Sequence, residues 1–165
     1  STYSTGGSTP EPRPAIRIDA GSERQFIDWN SFVWASDARF EGGEILRSDA
    51  PVTQASPTLY DQQLYRTARA GKDFRYRLAV PPGLYTVHLK FAELWLKEPG
   101  LRPMDIAVNG RLVWKAWDPS AAAGQLRMAA DVRTEDVTPD KDGMITIHVK
   151  AAGPNPAILQ GIEVE

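Results

Sequence analysis

The 165-residue sequence contains no cysteine, which excludes a disulfide-stapled scaffold, a thiolate zinc centre and a cysteine nucleophile. No apolar run approaches the ~20 residues of a membrane-spanning helix, and the first residues lack the basic and apolar regions of a signal peptide. Membrane is therefore not an expected partner, and any export signal or anchor is expected outside this sequence. An excess of one charge is also missing. Nineteen basic residues stand against 21 acidic ones, for a formal net charge of -2, so no basic surface is available to track phosphates and nucleic acid is not an expected partner. There is no Gly-x-Ser-x-Gly elbow and no phosphate loop. The acids fall mostly in turns (Asp118, Asp140, Asp142) or in the run Glu135-Asp136, where a solvated or capping role suffices. The sequence gives little support to an active site and none to a cofactor.

Helical periodicity is nearly absent; what is present is strand alternation. At 165 residues the chain fits one domain able to bury about two-thirds of its unfolded surface. Residues 1 to 13, STYSTGGSTPEPR, hold one large apolar side chain, Tyr3, among Ser, Thr, Gly and Pro, a linker composition. Ile16 and Ile18 alternate with Arg17 in a first short strand. Phe74, Tyr76, Leu78 and Val80 share one face of a second, and Tyr85, Val87, Leu89 and Phe91 one face of a third. Between these two, Pro81-Pro82-Gly83 reads as the turn of a central hairpin. Met104, Ile106 and Val108 precede Asn109-Gly110, which suits the positive-φ positions of a tight hairpin, with Arg111 to Trp114 returning. The Ala-rich stretch 121–130, interrupted by Gly124, reads as a loop leading to a strand at Met128 to Val132. Asp140 to Gly143 is a turn, Ile145, Ile147 and Val149 point inward, and Ile158 to Val164 is a last strand. Seven to nine short strands imply an all-β fold, an antiparallel β-sandwich of jelly-roll type.

His88 and His148 sit in similar settings, each on an outward strand face with a lysine two residues on. No further ligand converges on either in sequence, so no metal site is expected. The five tryptophans are the stronger signal, because an indole face stacks on the C–H face of a pyranose while neighbouring polar groups bond its hydroxyls. Core or loop packing suits Trp34 and Trp114. Trp95 ends a strand and enters Leu-Lys-Glu-Pro-Gly, where periodicity offers it no core partner.

Several motifs occur in a linked order from Ile16 to Val164. They are Arg-Ile-Asp-Ala-Gly at 17 to 21, Trp34 with Asp37 and Gly42-Gly43, Leu64-Tyr-Arg-Thr67, Phe74-Arg-Tyr76, Gly83-Leu-Tyr85, Phe91-Ala-Glu93, Met104-Asp105 with Asn109-Gly110, and Pro156-Ala-Ile158 before Gly161-Ile-Glu163. In this order the chain resembles the malectin domain, a carbohydrate-binding module. The resemblance implies a jelly-roll-like β-sandwich with an oligosaccharide site in loops at one end. The animal lectin that names the family recognises short α-linked glucose units, and bacterial relatives are accessory modules of glycoside hydrolases. Carried over by position, the aromatic pair after Phe-Ala-Glu falls at Trp95 and Leu96, so one aromatic is kept. A second aromatic falls on Ala70, a third on Phe40, and an acid on Pro154, beside Asn155. These departures argue against transferring the diglucose specificity.

The expectation is a non-catalytic module that stacks a neutral glucan- or galactan-type oligo- or polysaccharide on Trp95. Phe40 or Trp117 would form a second wall, with Arg69, Asp37 and Asn155 as polar contacts. The module would be monomeric, extracellular or periplasmic, and joined to a glycoside hydrolase catalytic domain in the same polypeptide. The alternative from the same residues is a structural module of a multidomain glycosidase that binds no sugar.

Overall fold

The computed structural model describes residues 15–165; the expected linker at residues 1 to 13 lies outside them. Two antiparallel sheets share one core. The first has the order β1 (Ile16–Asp19), β14 (Gly161–Val164), β8 (Tyr85–Lys90) and β11 (Val132–Val137). The second has the order β10 (Arg111–Trp117), β9 (Met104–Val108), β12 (Met144–Ala151), β7 (Asp73–Ala79) and β4 (Phe40–Glu41). A three-stranded sheet, β13 (Ala157–Leu159), β6 (Thr67–Gly71) and β5 (Glu44–Arg47), and a two-stranded one, β2 (Phe26–Ile27) with β3 (Val33–Trp34), complete it.

Alternation determines what faces inward. Phe74, Tyr76 and Leu78 of β7 and Ile145, Ile147 and Val149 of β12 meet Val87 and Leu89 of β8 and Ile162 of β14, all essentially without solvent exposure. Each such aliphatic contributes about 1.5–3 kcal/mol relative to an exposed position. A second cluster, Trp34, Val52, Leu64, Tyr65, Ala92 and Leu94, packs the long 50–66 segment onto the domain. Asn109 and Gly110 adopt φ of 50 and 80° and close the β9–β10 hairpin as expected.

Four expectations need correction. β7 and β8 are not a hairpin: β7 pairs with β12 and β4, and β8 with β14 and β11, in different sheets. The intervening prolines have no N–H to donate to a ladder, and Tyr85 donates its hydroxyl to the Pro81 carbonyl (2.7 Å), fastening a corner between the sheets. Two strands with apolar faces are satisfied equally well by facing each other across a core. The Ala-rich stretch opens with a short helix, α1 (Pro119–Ala123). Asp118 caps it by accepting from the Ser120 and Ala121 N–H groups, and Gly124 closes it at φ 87°. The strand expected at 128–132 begins at Val132, while Met128 and Ala129 make isolated bridges to Thr53 and Ala92. Finally, the closing strand is broken at Gln160 into β13 and β14, which lie in different sheets.

Candidate functional site

Two buried ion pairs hold the loops at one end of the three-stranded sheet. In the first, Asp37 accepts from Arg69 Nε (2.9 Å), the Tyr76 hydroxyl (2.7 Å) and the Gly21 N–H (2.8 Å). Arg69 also donates to the Gly42 carbonyl (3.1 Å), and the Phe40 ring covers its guanidinium at 3.4 Å. Gly21, Asp37, Gly42, Arg69 and Tyr76, drawn from separate stretches of the chain, are thus members of one hydrogen-bonded unit. A Cβ on Gly21 would stand 2.4 Å from the Ala68 carbonyl oxygen, and one on Gly43 2.9 Å from the Arg69 side chain.

In the second, Glu93 and Arg102, both buried, form a two-pronged pair, with Nε to Oε1 at 2.6 Å and Nη2 to Oε2 at 3.2 Å. Glu93 Oε2 also accepts from the N–H groups of Trp95 (3.0 Å) and Leu96 (3.1 Å). Arg102 reaches the Pro156 carbonyl (2.6 Å), and its own N–H is taken by Asp118 (2.6 Å). Burial opposes the charge on Asp118, but the Ser120 hydroxyl and three backbone N–H groups outweigh it and hold the carboxyl below its usual range. The Glu93–Arg102 pair thus ties the Trp95 loop to the 156 loop, and the Arg102 backbone N–H joins both to the α1 cap.

Between these anchors lies an open groove of about 450 Å³, floored by Ala70, Leu46, Gly43 and Gly71 and bounded by Pro156, with Glu44, Lys72 and Asp73 at its rim. Trp95, expected to lack a core partner, is half-buried and packs against both core clusters; its indole Nε1 donates to the carbonyl of Arg47 (2.9 Å), next to the lining residue Leu46. Asp73 shares a 2.5 Å hydrogen bond with His148 Nε2, which holds its carboxyl below the usual range. The combination is an apolar floor, a half-buried indole and a charged rim.

The malectin domain family model matches residues 15–162, nearly the whole chain. The chain belongs to the malectin domain family. Among solved structures, the ANX2 ectodomain of Arabidopsis thaliana matches with a TM-score of 0.79 at 17% identity, over 90% of this chain and 48% of that one. Bacteroides uniformis beta-glucuronidase matches with a TM-score of 0.76 at 20% identity, over 92% of this chain and 18% of that one. Both likenesses concern the fold. A kinesin-like protein of Arabidopsis thaliana, KIN-14Q, is 35% identical over 82 residues, which are 49% of this chain and 6% of that protein. The malectin domain here therefore spans less than half of each of these proteins.

Within this malectin domain the expected contact residues divide. Neither Phe40 nor Trp95 lines the groove itself: Phe40 covers the Arg69 guanidinium, and Trp95 is bonded to the carbonyl of Arg47, the chain neighbour of the lining residue Leu46. Asn155 adjoins the groove at Pro156 and donates to the Leu101 carbonyl (2.6 Å). Arg69 and Asp37 do not reach the surface: their side chains are about 5% and 4% exposed and bonded to each other, so they position Phe40 and Gly43 and are not sugar contacts. Trp117 packs edge-on against Phe91 at 4.9 Å and supports the main core. The rim groups Glu44, Lys72 and Asp73 escaped the sequence reading because nothing in their spacing distinguishes them from a solvated strand end. Ala70 was the available clue, since it stands where the family places an aromatic.

The histidine expectation also changes. Strand register sets Glu163 opposite His88, and ligand-capable atoms of His88, Glu163 and Glu165 lie within 4.8 Å of one another. Glu163 is already paired with Arg17 at 2.6 Å, so positive charge is supplied within the protein. One residue row away, buried Lys90 donates to the Ser56 carbonyl (3.0 Å), Asp131 (3.1 Å) and the Tyr65 hydroxyl (3.3 Å). Burial, reinforced by the Asp131 charge, drives the Tyr65 phenol upward.

Proposed function

We propose that this malectin domain is a non-catalytic carbohydrate-binding module that holds a neutral oligo- or polysaccharide in the Ala70 groove, with Trp95 as the stacking wall. The observation that carries the reading is the groove itself. Alanine at position 70 leaves space where the family resemblance places an aromatic, so the ligand is held by a wall and floor and not by a ring on each side. An apolar floor suits the C–H face of a pyranose, and Glu44, Lys72 and Asp73 are placed to bond its hydroxyls. The different wall argues for a ligand other than the diglucose of the animal lectin. Sites of this shallow, solvated kind bind with dissociation constants of roughly 10 µM to 1 mM, about 4 to 7 kcal/mol. Attached to a glycosidase catalytic domain in a secreted or periplasmic protein, even this affinity raises the local concentration of the enzyme on its polymer.

The test is affinity electrophoresis against α-glucans, β-glucans, galactans and xylans, with wild type, Trp95→Ala and Glu44→Lys run side by side. One polysaccharide class is expected to retard the wild type, to lose its effect on Trp95→Ala and to act more weakly on Glu44→Lys. Glu44 is an exposed rim residue, so its substitution leaves the fold intact. If no glycan retards the wild type even at millimolar concentration, the sugar-binding reading fails.

A further inference from the structure

The most exposed large rings of the described domain lie outside the Ala70 groove. Trp29, at 67% exposure, and Tyr60, at 71%, stack on each other with ring centroids 4.6 Å apart and planes 28° apart. Trp29 sits on the loop joining β2 and β3, and Tyr60 on the loop before the 3-10 turn at Gln62–Tyr65. Aromatic side chains on loops normally ride on mobile backbone, and here buried carboxylates fix the backbone that carries them. Asp61, 1% exposed, accepts the Trp29 N–H (2.9 Å) through one oxygen and the Thr58 N–H (3.0 Å) and hydroxyl (2.7 Å) through the other. Asp28, 4% exposed, accepts the N–H groups of Asn30 (2.9 Å) and Phe32 (3.0 Å) and the Trp34 indole (3.0 Å). Two loops far apart in sequence are thus pinned so that their rings meet in solvent.

The same loops wall a cleft of about 210 Å³, whose lining includes Asn30, Phe32, Trp34, His88, Lys90 and Asp131. The Lys90 ammonium neutralises Asp131, and Asp28 is engaged by three donors. By contrast, the Trp29 indole N–H, the Tyr60 hydroxyl and the Asn30 carboxamide have no hydrogen-bond partner among the described residues.

From this arrangement we propose a second ligand site, in which a neutral pyranose-containing glycan stacks on the Trp29–Tyr60 platform and places hydroxyls against Asn30 and the adjoining cleft. Open ring faces, uncommitted neutral donors and fixed loops meet the needs of sugar recognition, because little ordering entropy remains to be lost on binding. The same segments also expose the aliphatic side chains Ile27, Val33 and Leu59, which suit a protein-docking patch, and the uncommitted neutral donors are what favours the sugar. The Phe32 ring on the same β2–β3 loop is half-exposed and carries the Arg17 guanidinium 4.2 Å from its centroid. The site shares no residue with the Ala70 groove, and two sites on one module would add avidity for a polymer.

The five tryptophans allow the two sites to be read separately. Indole and side-chain amide resonances of the ¹⁵N-labelled domain are followed during titration with malto-, cello-, galacto- and xylo-oligosaccharides. At least one neutral oligosaccharide is expected to move the Trp29 indole and Asn30 carboxamide signals along a saturable curve. In Tyr60→Ala that curve is expected to weaken about tenfold, equivalent to about 1.4 kcal/mol. The Trp95 signal, whatever its response in wild type, should be unchanged by the substitution, and unmoved Trp34 resonances show that the variant is folded. Movement at Trp29 without Trp95 supports the platform and counts against the groove; movement at Trp95 alone does the reverse. Trp29 and Asn30 signals that respond to no glycan, or that move with protein concentration in place of sugar, overturn the proposal, the latter outcome marking a self-association face.

Discussion

Replacing Glu93 by Gln tests whether one buried carboxylate holds the Trp95 loop. The substitution keeps shape and one carbonyl oxygen but removes the charge opposite Arg102, whose side chain is about 3% exposed. Breaking a buried ion pair from one side typically costs 3–5 kcal/mol, because the remaining charge is left uncompensated. Retention of the Pro156 contact by Arg102 and of one acceptor for the Trp95 and Leu96 N–H groups places the expected loss near the lower end, about 3 kcal/mol. In a domain of this size that corresponds to a fall in Tm of about 6–12 °C. Urea denaturation of wild type, Glu93→Gln, Arg102→Met and the double variant gives the loss and the coupling. The double variant should be markedly less destabilised than the sum of the singles, since it buries no unpaired charge. Amide exchange at Trp95 and Leu96 should accelerate in Glu93→Gln. A loss below about 1 kcal/mol, strictly additive singles, or unchanged exchange at those two amides would refute the reasoning.

Two further outcomes follow from the other anchor. Asp19 is 2% exposed, and burial, reinforced by the charge of Asp37, lifts its carboxyl to about 8 despite an opposing hydrogen bond from Thr67. Between the ordinary carboxylate range near 4 and this raised value the native state holds a proton that the unfolded state has released. Wild-type stability should therefore fall relative to Asp19→Asn as pH rises through that window, by up to about 1.4 kcal/mol per pH unit, and level off above it. Denaturation midpoints across the window check this, and a pH-independent difference would contradict it. Gly21→Ala should lose more than about 4 kcal/mol or fail to fold, because φ there is +78° and the new methyl would lie 2.4 Å from a strand carbonyl that cannot retreat. Soluble yield and urea midpoint are the readout.

How much of this was legible in sequence depends on the range of the physics involved. Alternation along β7, β8, β9 and β12 is local: Phe74, Tyr76 and Leu78, or Ile145, Ile147 and Val149, mark their buried faces within a few residues. Asn109-Gly110 and Asp140 to Gly143 are similarly local, because positive φ selects its own residues. Which strands pair is not local. The corner at Pro81-Pro82-Gly83 could close a hairpin or join two sheets, and only the partners offered by β12 and β14 decide between them. The α1 helix, by contrast, carries local signals, Asp118 at the N-cap, Pro119 in the first turn and Gly124 at the C-cap, but its five residues are too short to show a periodic apolar face.

The candidate site divides in the same way. Motif order alone carried the family and the β-sandwich, and composition excluded disulfides and thiolate metal chemistry. Trp95 and Phe40 stand out in sequence because strand periodicity assigns them no core partner, yet Trp95 packs against both core clusters. Arg69 and Asp37 looked like ligand contacts because a sequence displays charge without showing where it is spent, and 32 residues of intervening chain conceal that they are spent on each other. Trp29 and Tyr60 were unremarkable apart; tertiary folding, through Asp61 and Asp28, sets them face to face. Residue type and spacing therefore determined the fold class and the family. Pairing, burial and the open or closed state of each side chain were decided by tertiary structure, because they depend on contacts whose partners are distant along the chain.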